Sequence, residues 1–341
     1  MKICLVGDYS IPDEARKVII HNLRRELSKN NEVLIADIRN LTSVKLWRRV
    51  RDFEPQILHY IPGASPISFM ITKLMKILSR KPKTVMFSML HPFHSPFYSP
   101  YYFLSNVTKV TIPFLKTDLV IVQSDWAEQV FRQLNCNVKF LPCSGVDIKK
   151  FIPVPQKKKE ELREKYGVDP NKFVVLHIGS IKKWRNVEIL KEIQKSDDDV
   201  QVVVVGRLSG KSERDVITRL EKIGCRIINT FIPRIEELYA LADCYIFPTI
   251  DPVGSIDIPL SVLEAMSTNL PVISTMFGGL PRIFKEGNGF MYANGINDFI
   301  QKIKILKDND SINVKTRALV LPYSWENIAK KLVRIYEELL D

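Results

Sequence analysis

The chain has 341 residues, 45% hydrophobic and 26% charged, enough to bury two cores of ordinary size and too balanced for a disordered protein. Its five cysteines, Cys4, Cys136, Cys143, Cys225 and Cys244, are scattered without C-x-x-C or metal-ligand spacing, which argues against a disulfide framework or zinc module and for buried thiols in a cytosolic protein. The net charge of +12 is concentrated in the first 150 residues, where Lys and Arg outnumber Asp and Glu roughly two to one; such a field attracts nucleic acid, anionic lipid or phosphorylated ligands alike.

Lys2–Val6 is the first strand candidate, an apolar run too short for a signal-peptide core. Glu14–Ser28 follows with Val18, Ile19, Leu23 and Leu27 at helical spacing. Strands are then expected at Glu32–Ile38, Gln56–Tyr60, Thr84–Ser88, Asp118–Gln123 and Val138–Pro142. The prolines of Phe151-Ile152-Pro153-Val154-Pro155 break this pattern, and a charged helix runs from Gln156 to Tyr166. The alternation restarts with strands Phe173–Ile178, Val200–Val205, Arg226–Ile228, Cys244–Phe247 and Val272–Ser274. Helices are expected from Asn186 and over Glu213–Ile223, Ser261–Ser267 and Asn297–Lys307, and a long amphipathic helix over Trp325–Leu340 ends the chain. No stretch reaches the roughly 18 uninterrupted apolar residues of a spanning helix.

The pattern predicts an α/β protein of two doubly wound, Rossmann-like domains, 1–150 and 171–322, with a linker over 151–170 and a terminal helix over 323–341. Two parallel sheets facing across a cleft suit two substrates, because ligands bind at the carboxyl ends of such strands. The first loop, Gly7-Asp8-Tyr9-Ser10-Ile11-Pro12, lacks the G-x-G-x-x-G of a dinucleotide site, and no P-loop motif occurs. Dehydrogenase and NTPase readings fall on that observation.

The most informative stretch is Asp251 to Tyr292. A helix begins there at Pro259 or Leu260, just after a strand. The backbone of Ile258, Pro259 and Leu260 at its N-terminus suits a diphosphate. Glu264, one turn in, is placed to accept hydrogen bonds from a ribose diol, and Gly278-Gly279 leaves room for a ligand after the next strand.

These residues resemble the retaining glycosyltransferases of family 4, the glycosyl transferases group 1, with the two-domain GT-B fold. The resemblance rests on Leu263-Glu264-Ala265-Met266, on Leu270-Pro271-Val272-Ile273-Ser274-Thr275 and on Gly278-Gly279-Leu280-Pro281. Leu141-Pro142-Cys143-Ser144-Gly145-Val146-Asp147, Tyr239-Ala240-Leu241-Ala242-Asp243 and Ser324-Trp325-Glu326 extend it along most of the chain. It implies a terminal helix returning to the N-terminal domain. It also implies metal-independent transfer of a sugar from a UDP- or GDP-sugar with retention, cationic side chains and a helix dipole taking the place of a metal.

The sequence departs from the family pattern at two places. The first of the family's two glutamates, seven residues apart, falls at Ile256, and Asp257 stands one residue on; it is either a substitute carboxylate or a turn residue. Of the family's Arg and Lys on the diphosphate, Ser180 occupies the first position and Arg185 the second, with Gly179, Lys182 and Lys183 beside them. The resemblance also implies a histidine lining the donor-sugar pocket after strand Thr84–Ser88, where His91, nearer the strand end, is preferred to His94; the expected catalytic set is Arg185, Lys183, His91 and Asp257. Donor-binding residues are Gly179, Arg207, Phe231, Ile232, Ile258, Pro259, Leu260, Glu264, Gly278 and Gly279. Phe231 and Ile232 belong to the segment Thr230–Pro233 expected beside the base. The acidic runs Asp197-Asp198-Asp199 and Asp308-Asn309-Asp310 read as solvated loops rather than metal sites.

The acceptor is expected on the N-terminal domain and its identity is open. The basic first 150 residues and the aromatic, proline-broken stretch Phe87–Phe114 suggest a lipid or lipid-linked acceptor and peripheral attachment to an anionic membrane surface. Nucleic-acid binding has no motif behind it. Two rival readings stand: a degenerate nucleotide-binding protein, supported by Ile256 and Ser180, and a nucleotide-sugar epimerase of the same fold.

Overall fold

The computed structural model describes residues 1–11, 14–89, 110, 113–206, 211–230, 232–309 and 311–341, with backbone alone at 66, 183, 211–213 and 253. The chain divides into two compact units. Unit 1 comprises 1–145, 256–258 and 325–341; unit 2 comprises 146–255 and 259–324.

Unit 1 is built on strands β1 Lys2–Gly7, β2 Glu32–Asp37, β3 Ile57–Tyr60, β4 Lys83–Ser88, β5 Leu119–Val122 and β6 Val138–Phe140. All pair in parallel, in the order β2-β1-β3-β4-β5-β6. The central strands are buried on both faces, which is why they read as continuous apolar runs rather than alternating ones. Helix Ala15–Leu27 buries Ile19, Ile20, Leu23 and Leu27 and packs on the terminal helix Trp325–Leu340. That terminal helix belongs to unit 1, as its family resemblance implied. Two contacts hold it. The Tyr336 hydroxyl and His59 Nδ1 hydrogen bond at 2.5 Å. A Cβ on Gly145 would lie 2.7 Å from the Trp325 ring, so no side chain fits there.

Unit 2 repeats the plan with β7 Phe173–Ile178, β8 Val200–Val205, β9 Arg226–Ile228, β10 Cys244–Phe247, β11 Val272–Ser274 and β12 Phe290–Tyr292. Its parallel order is β12-β11-β10-β7-β8-β9. Residues 151–170, expected as a linker, are counted with this unit. The reason is ionic. Helix Gln156–Tyr166 has few apolar residues, but Arg163 donates to Asp243 Oδ2 at 2.6 Å and to the Leu241 carbonyl at 3.0 Å. Lys159 pairs with Asp243 Oδ1, and Tyr166 donates to Glu237 Oε2 at 2.7 Å. Lys307 pairs with both Asp197 and Asp199, so the first acidic run is neutralised in place.

Candidate active site

The candidate site is assembled within unit 2, where β7, β10 and helix Leu260–Ser267 bring their residues together. After β7 the chain turns at Gly179, and after β8 at Gly206. A Cβ on Gly206 would lie 2.1 Å from the Gly179 carbonyl oxygen, so only glycine lets the two strand ends meet. A Cβ on Gly179 would lie 2.4 Å from Arg185 Nη1 and 3.6 Å from His177 Nε2. The Arg185 guanidinium therefore rests on bare backbone. The short turn Lys183–Arg185 carries it there, and Asn186, in the left-handed region at φ 55°, donates from Nδ2 to the Pro248 carbonyl at 3.2 Å.

Arg185 Nε is buried without a hydrogen-bond partner, and no ion pair to its guanidinium occurs among the described residues. Burial pulls the Arg185 pKa down, and the Tyr245 hydroxyl opposes that only in part. His177 sits beside it, fully buried. Its Nδ1–H donates to the Ile246 carbonyl at 3.2 Å, leaving Nε2 as an acceptor without a partner. Burial, opposed by the hydrogen bond to Ile246 and reinforced by the Arg185 charge, lowers the His177 pKa to about 4, so the ring is neutral at physiological pH.

The neighbouring strand supplies two tyrosine contacts. Tyr245 on β10 donates to the Ile178 carbonyl at 3.3 Å and shares a 2.8 Å hydrogen bond with Ser261 Oγ. Tyr239, fully buried, donates to Glu264 Oε2 at 2.7 Å. Burial raises the Glu264 pKa, and the Tyr239 hydroxyl and Lys150 lower it in turn. The carboxylate is thus oriented by one oxygen. Helix Leu260–Ser267, which carries Glu264, starts at Pro259 with no side-chain cap; in its first turn the Val262 N–H turns back to the Pro259 carbonyl at 3.2 Å, while no backbone partner is found for the Leu260 and Ser261 N–H groups among the described residues. An uncompensated cation, an open helix N-terminus and a fixed carboxylate are together complementary to an anion attached to a polyol.

The residues expected from sequence distribute as follows. Gly179, Arg185, Pro259, Leu260, Glu264, Gly278 and Gly279 lie in unit 2, with Gly278 at φ 53° and Gly279 capping helix Leu280–Ile283. Ile232 is half-buried in the same unit, and Lys183 is in the turn that carries Arg185. His91, Arg207 and Phe231 lie outside the described residues, as does most of Phe87–Phe114. Asp257 and Ile258 belong to unit 1. There Asp257 Oδ2 accepts from Ser124 Oγ at 2.7 Å, its N–H donates to the Met89 carbonyl at 2.8 Å, and the Ile258 carbonyl accepts from Ser144 Oγ at 2.6 Å. Burial pushes the Asp257 pKa up to about 7. Sequence reasoning missed His177, Tyr239, Tyr245 and Ser261. Tyr239 stood in a quoted motif, but its reach to Glu264 spans 25 residues and appears only once the sheet is folded.

Residues 158–319 match the family model "Glycosyl transferases group 1". Among curated relatives, the sulfoquinovosyl transferase SQD2 of Arabidopsis thaliana is 29% identical over 202 residues, 55% of this chain and 38% of that protein. The alpha-galactosylglucosyldiacylglycerol synthase of Streptococcus pneumoniae is 24% identical over 214 residues, 59% of this chain and 55% of that protein. The chain thus spans about half or less of these relatives. Among solved structures, Anabaena Alr3699/HepE in complex with UDP-glucose superposes with a TM-score of 0.77 at 17% identity, covering 99% of this chain and 100% of that one. At that identity the likeness bears on the fold, which is GT-B.

Proposed function

With residues 158–319 belonging to the glycosyl transferases group 1, we propose that the chain is a glycosyltransferase that moves a sugar from a nucleoside-diphosphate sugar to an acceptor, with retention and without a metal ion. The observation that carries this reading is Arg185, a guanidinium resting on the Gly179 backbone with its Nε buried and unpartnered and with no ion pair among the described residues. A buried unpaired cation is costly to keep, and a diphosphate would relieve that cost. Arg185, Lys183 and the N-terminus of helix Leu260–Ser267 would hold the leaving diphosphate, whose charge grows as the glycosidic bond breaks. Glu264, steered by Tyr239, would accept from the ribose hydroxyls. His177 is neutral beside Arg185, so it does not compete for that anion. Uridine is the preferred nucleoside of the donor, since the HepE structures of the same fold hold UDP and UDP-glucose.

The acceptor reading is a lipid or lipid-linked glycan, reached by peripheral attachment to an anionic bilayer. It draws on the basic first 150 residues and on a relative whose name is that of a diacylglycerol glycolipid synthase. No helix among the described residues is long and apolar enough to cross a membrane.

The test is incubation with UDP-glucose and GDP-sugars in the presence of chelator, with and without lipid extract, followed by NMR of the anomeric proton. Release of nucleoside diphosphate, undiminished by chelator, with an α-linked product from an α-linked donor is the expected result. Nucleotide binding without turnover would support a degenerate binding protein, and free epimerised nucleotide sugar an epimerase.

A further inference from the structure

Helix Pro66–Leu78 of unit 1 is apolar on two faces. One face packs inward through Phe69, Thr72 and Met75, all fully buried. The other bears Ile67 (58% exposed), Met70 (55%), Leu74 (47%), Ile77 (63%) and Leu78 (44%), at spacings of three and four residues that put them in one stripe. A helix with apolar rows on two faces is ordinarily covered on both, and the described part of this protein covers one of them.

The charges around the stripe are of one sign. Residues 55–117 contain no Asp or Glu and seven Lys or Arg, where the chain's average of 38 acids in 341 residues would put about seven acids. Of the cations nearest the helix, Lys76 pairs with Asp118 and Arg80 with Glu54. Lys73, on the exposed face of the helix, and Lys81 and Lys83, just past its end, have no ion pair among the described residues. Val110 and Phe114, in the same acid-free stretch, are 67% and 79% exposed.

We propose that helix Pro66–Leu78 is the element that docks the chain on an anionic lipid bilayer, Ile67, Met70, Leu74 and Ile77 entering the headgroup–acyl boundary and Lys73, Lys81 and Lys83 meeting lipid phosphates. This rests on the peripheral-membrane part of the function proposed above and assigns it to a surface. A protein partner would bury the same apolar stripe, but the absence of any acidic residue over 63 positions singles out a partner that is uniformly negative. The geometry suits a helix lying in the interface plane: about 20 Å long at 1.5 Å per residue, with lysines beside the apolar row so that their stems reach up to the headgroups.

The test is flotation of the full chain with vesicles of phosphatidylcholine alone or of phosphatidylcholine mixed with anionic phosphatidylglycerol, with UDP affinity measured in parallel by calorimetry. Wild-type protein is expected to float with the anionic vesicles at low salt and to be released at high salt. Ile67→Ser/Met70→Ser/Ile77→Ser and, separately, Lys73→Glu/Lys81→Glu should each lower the vesicle-bound fraction by about tenfold or more. Unchanged UDP affinity in both variants would report intact folding, and loss of UDP binding by the wild type would count against the donor reading alone. The proposal is overturned if the wild type stays unbound, or if the serine variant floats as well as wild type. It is also overturned if the serine variant only converts a dimer to a monomer, which would assign the stripe to a second copy of the chain.

Discussion

Arg185 is kept at a cost. A half-buried guanidinium whose Nε is shut from water without a hydrogen-bond partner, and which has no ion pair among the described residues, destabilises the unit that holds it. Residues of this kind persist where a ligand completes them. Arg185→Met keeps an unbranched apolar stem and removes the guanidinium with its charge. Its expected effect is a kcat lowered by about a hundredfold, as for loss of one group stabilising a developing oxyanion. The ligand-free protein should melt at the same temperature or higher. A structural arginine would give the reverse pattern: a lower melting temperature and near-normal turnover. Steady-state kinetics and calorimetric melting of the same preparation separate the two. At this scale the sequence was partly legible. Arg185, Glu264 and the glycines are named by local motifs, because each acts through backbone position. His177, Tyr239 and Tyr245 were not, because each acts through a partner on another element.

The strands were read closely because a parallel sheet buried on both faces leaves unbroken apolar runs; Phe173–Ile178, Val200–Val205 and Cys244–Phe247 lie where expected. The elements that escaped have physical reasons. Helix Pro66–Leu78 has apolar residues on both faces and only the narrow polar row Ser68, Thr72 and Lys76 between them, so its period is hard to read. Strand β12 is three residues set between Gly289 and Ala293-Asn294-Gly295, so the turn residues on both sides mask it. Helix Gln156–Tyr166 was read as a helix within a linker because little in it is apolar, and its attachment is ionic. Asp243 is the centre of that attachment, accepting from Arg163, Lys159 and the Val174 N–H. Arg163 is only 6% exposed at its side chain, so the pair is largely withdrawn from water. Asp243→Asn should therefore cost about 3 kcal/mol in urea unfolding, the loss expected when one member of a buried pair is removed. It should also open the Lys157–Glu161 region to proteolysis. A cost near zero would mean that the helix is held by its few apolar contacts instead.

Across the molecule, the expectation of two doubly wound units matches the two six-stranded parallel sheets, while the burial of titratable groups inside unit 1 could not be read in advance. Two of its buried groups titrate in opposite senses. His59 is fully buried, its pKa lowered to about 3 by desolvation, and Asp257 is raised to about 7 by the same cause, with the Ser124 hydroxyl opposing. Both titrations change stability between roughly pH 4 and 7. For His59, the folded value lies below the ordinary 6.5. As pH falls from there the unfolded ring takes a proton that the folded ring refuses, and stability is lost toward acid. For Asp257, the folded value lies above the ordinary 3.8. As pH rises through that window the unfolded carboxyl ionises first, and stability is lost toward neutrality. The two slopes oppose each other, so wild-type unit 1 should be nearly level over the range, with the depressed carboxyls of Asp8, Asp37 and Asp118 adding acid sensitivity only below it. Asp257→Asn removes one slope and exposes the other. The variant should gain stability over wild type at pH 8, lose that gain by pH 4, and fall with acid by at most about 1.4 kcal/mol per pH unit, the limit for one proton. Tryptophan fluorescence is a suitable probe, because Trp47, Trp126 and Trp325 belong to unit 1 and only Trp184 to unit 2. Parallel stability curves for wild type and Asp257→Asn from pH 4 to 8 would mean that Asp257 is ionised in the folded protein, and that Ser124 and its surroundings solvate the charge rather than suppress it.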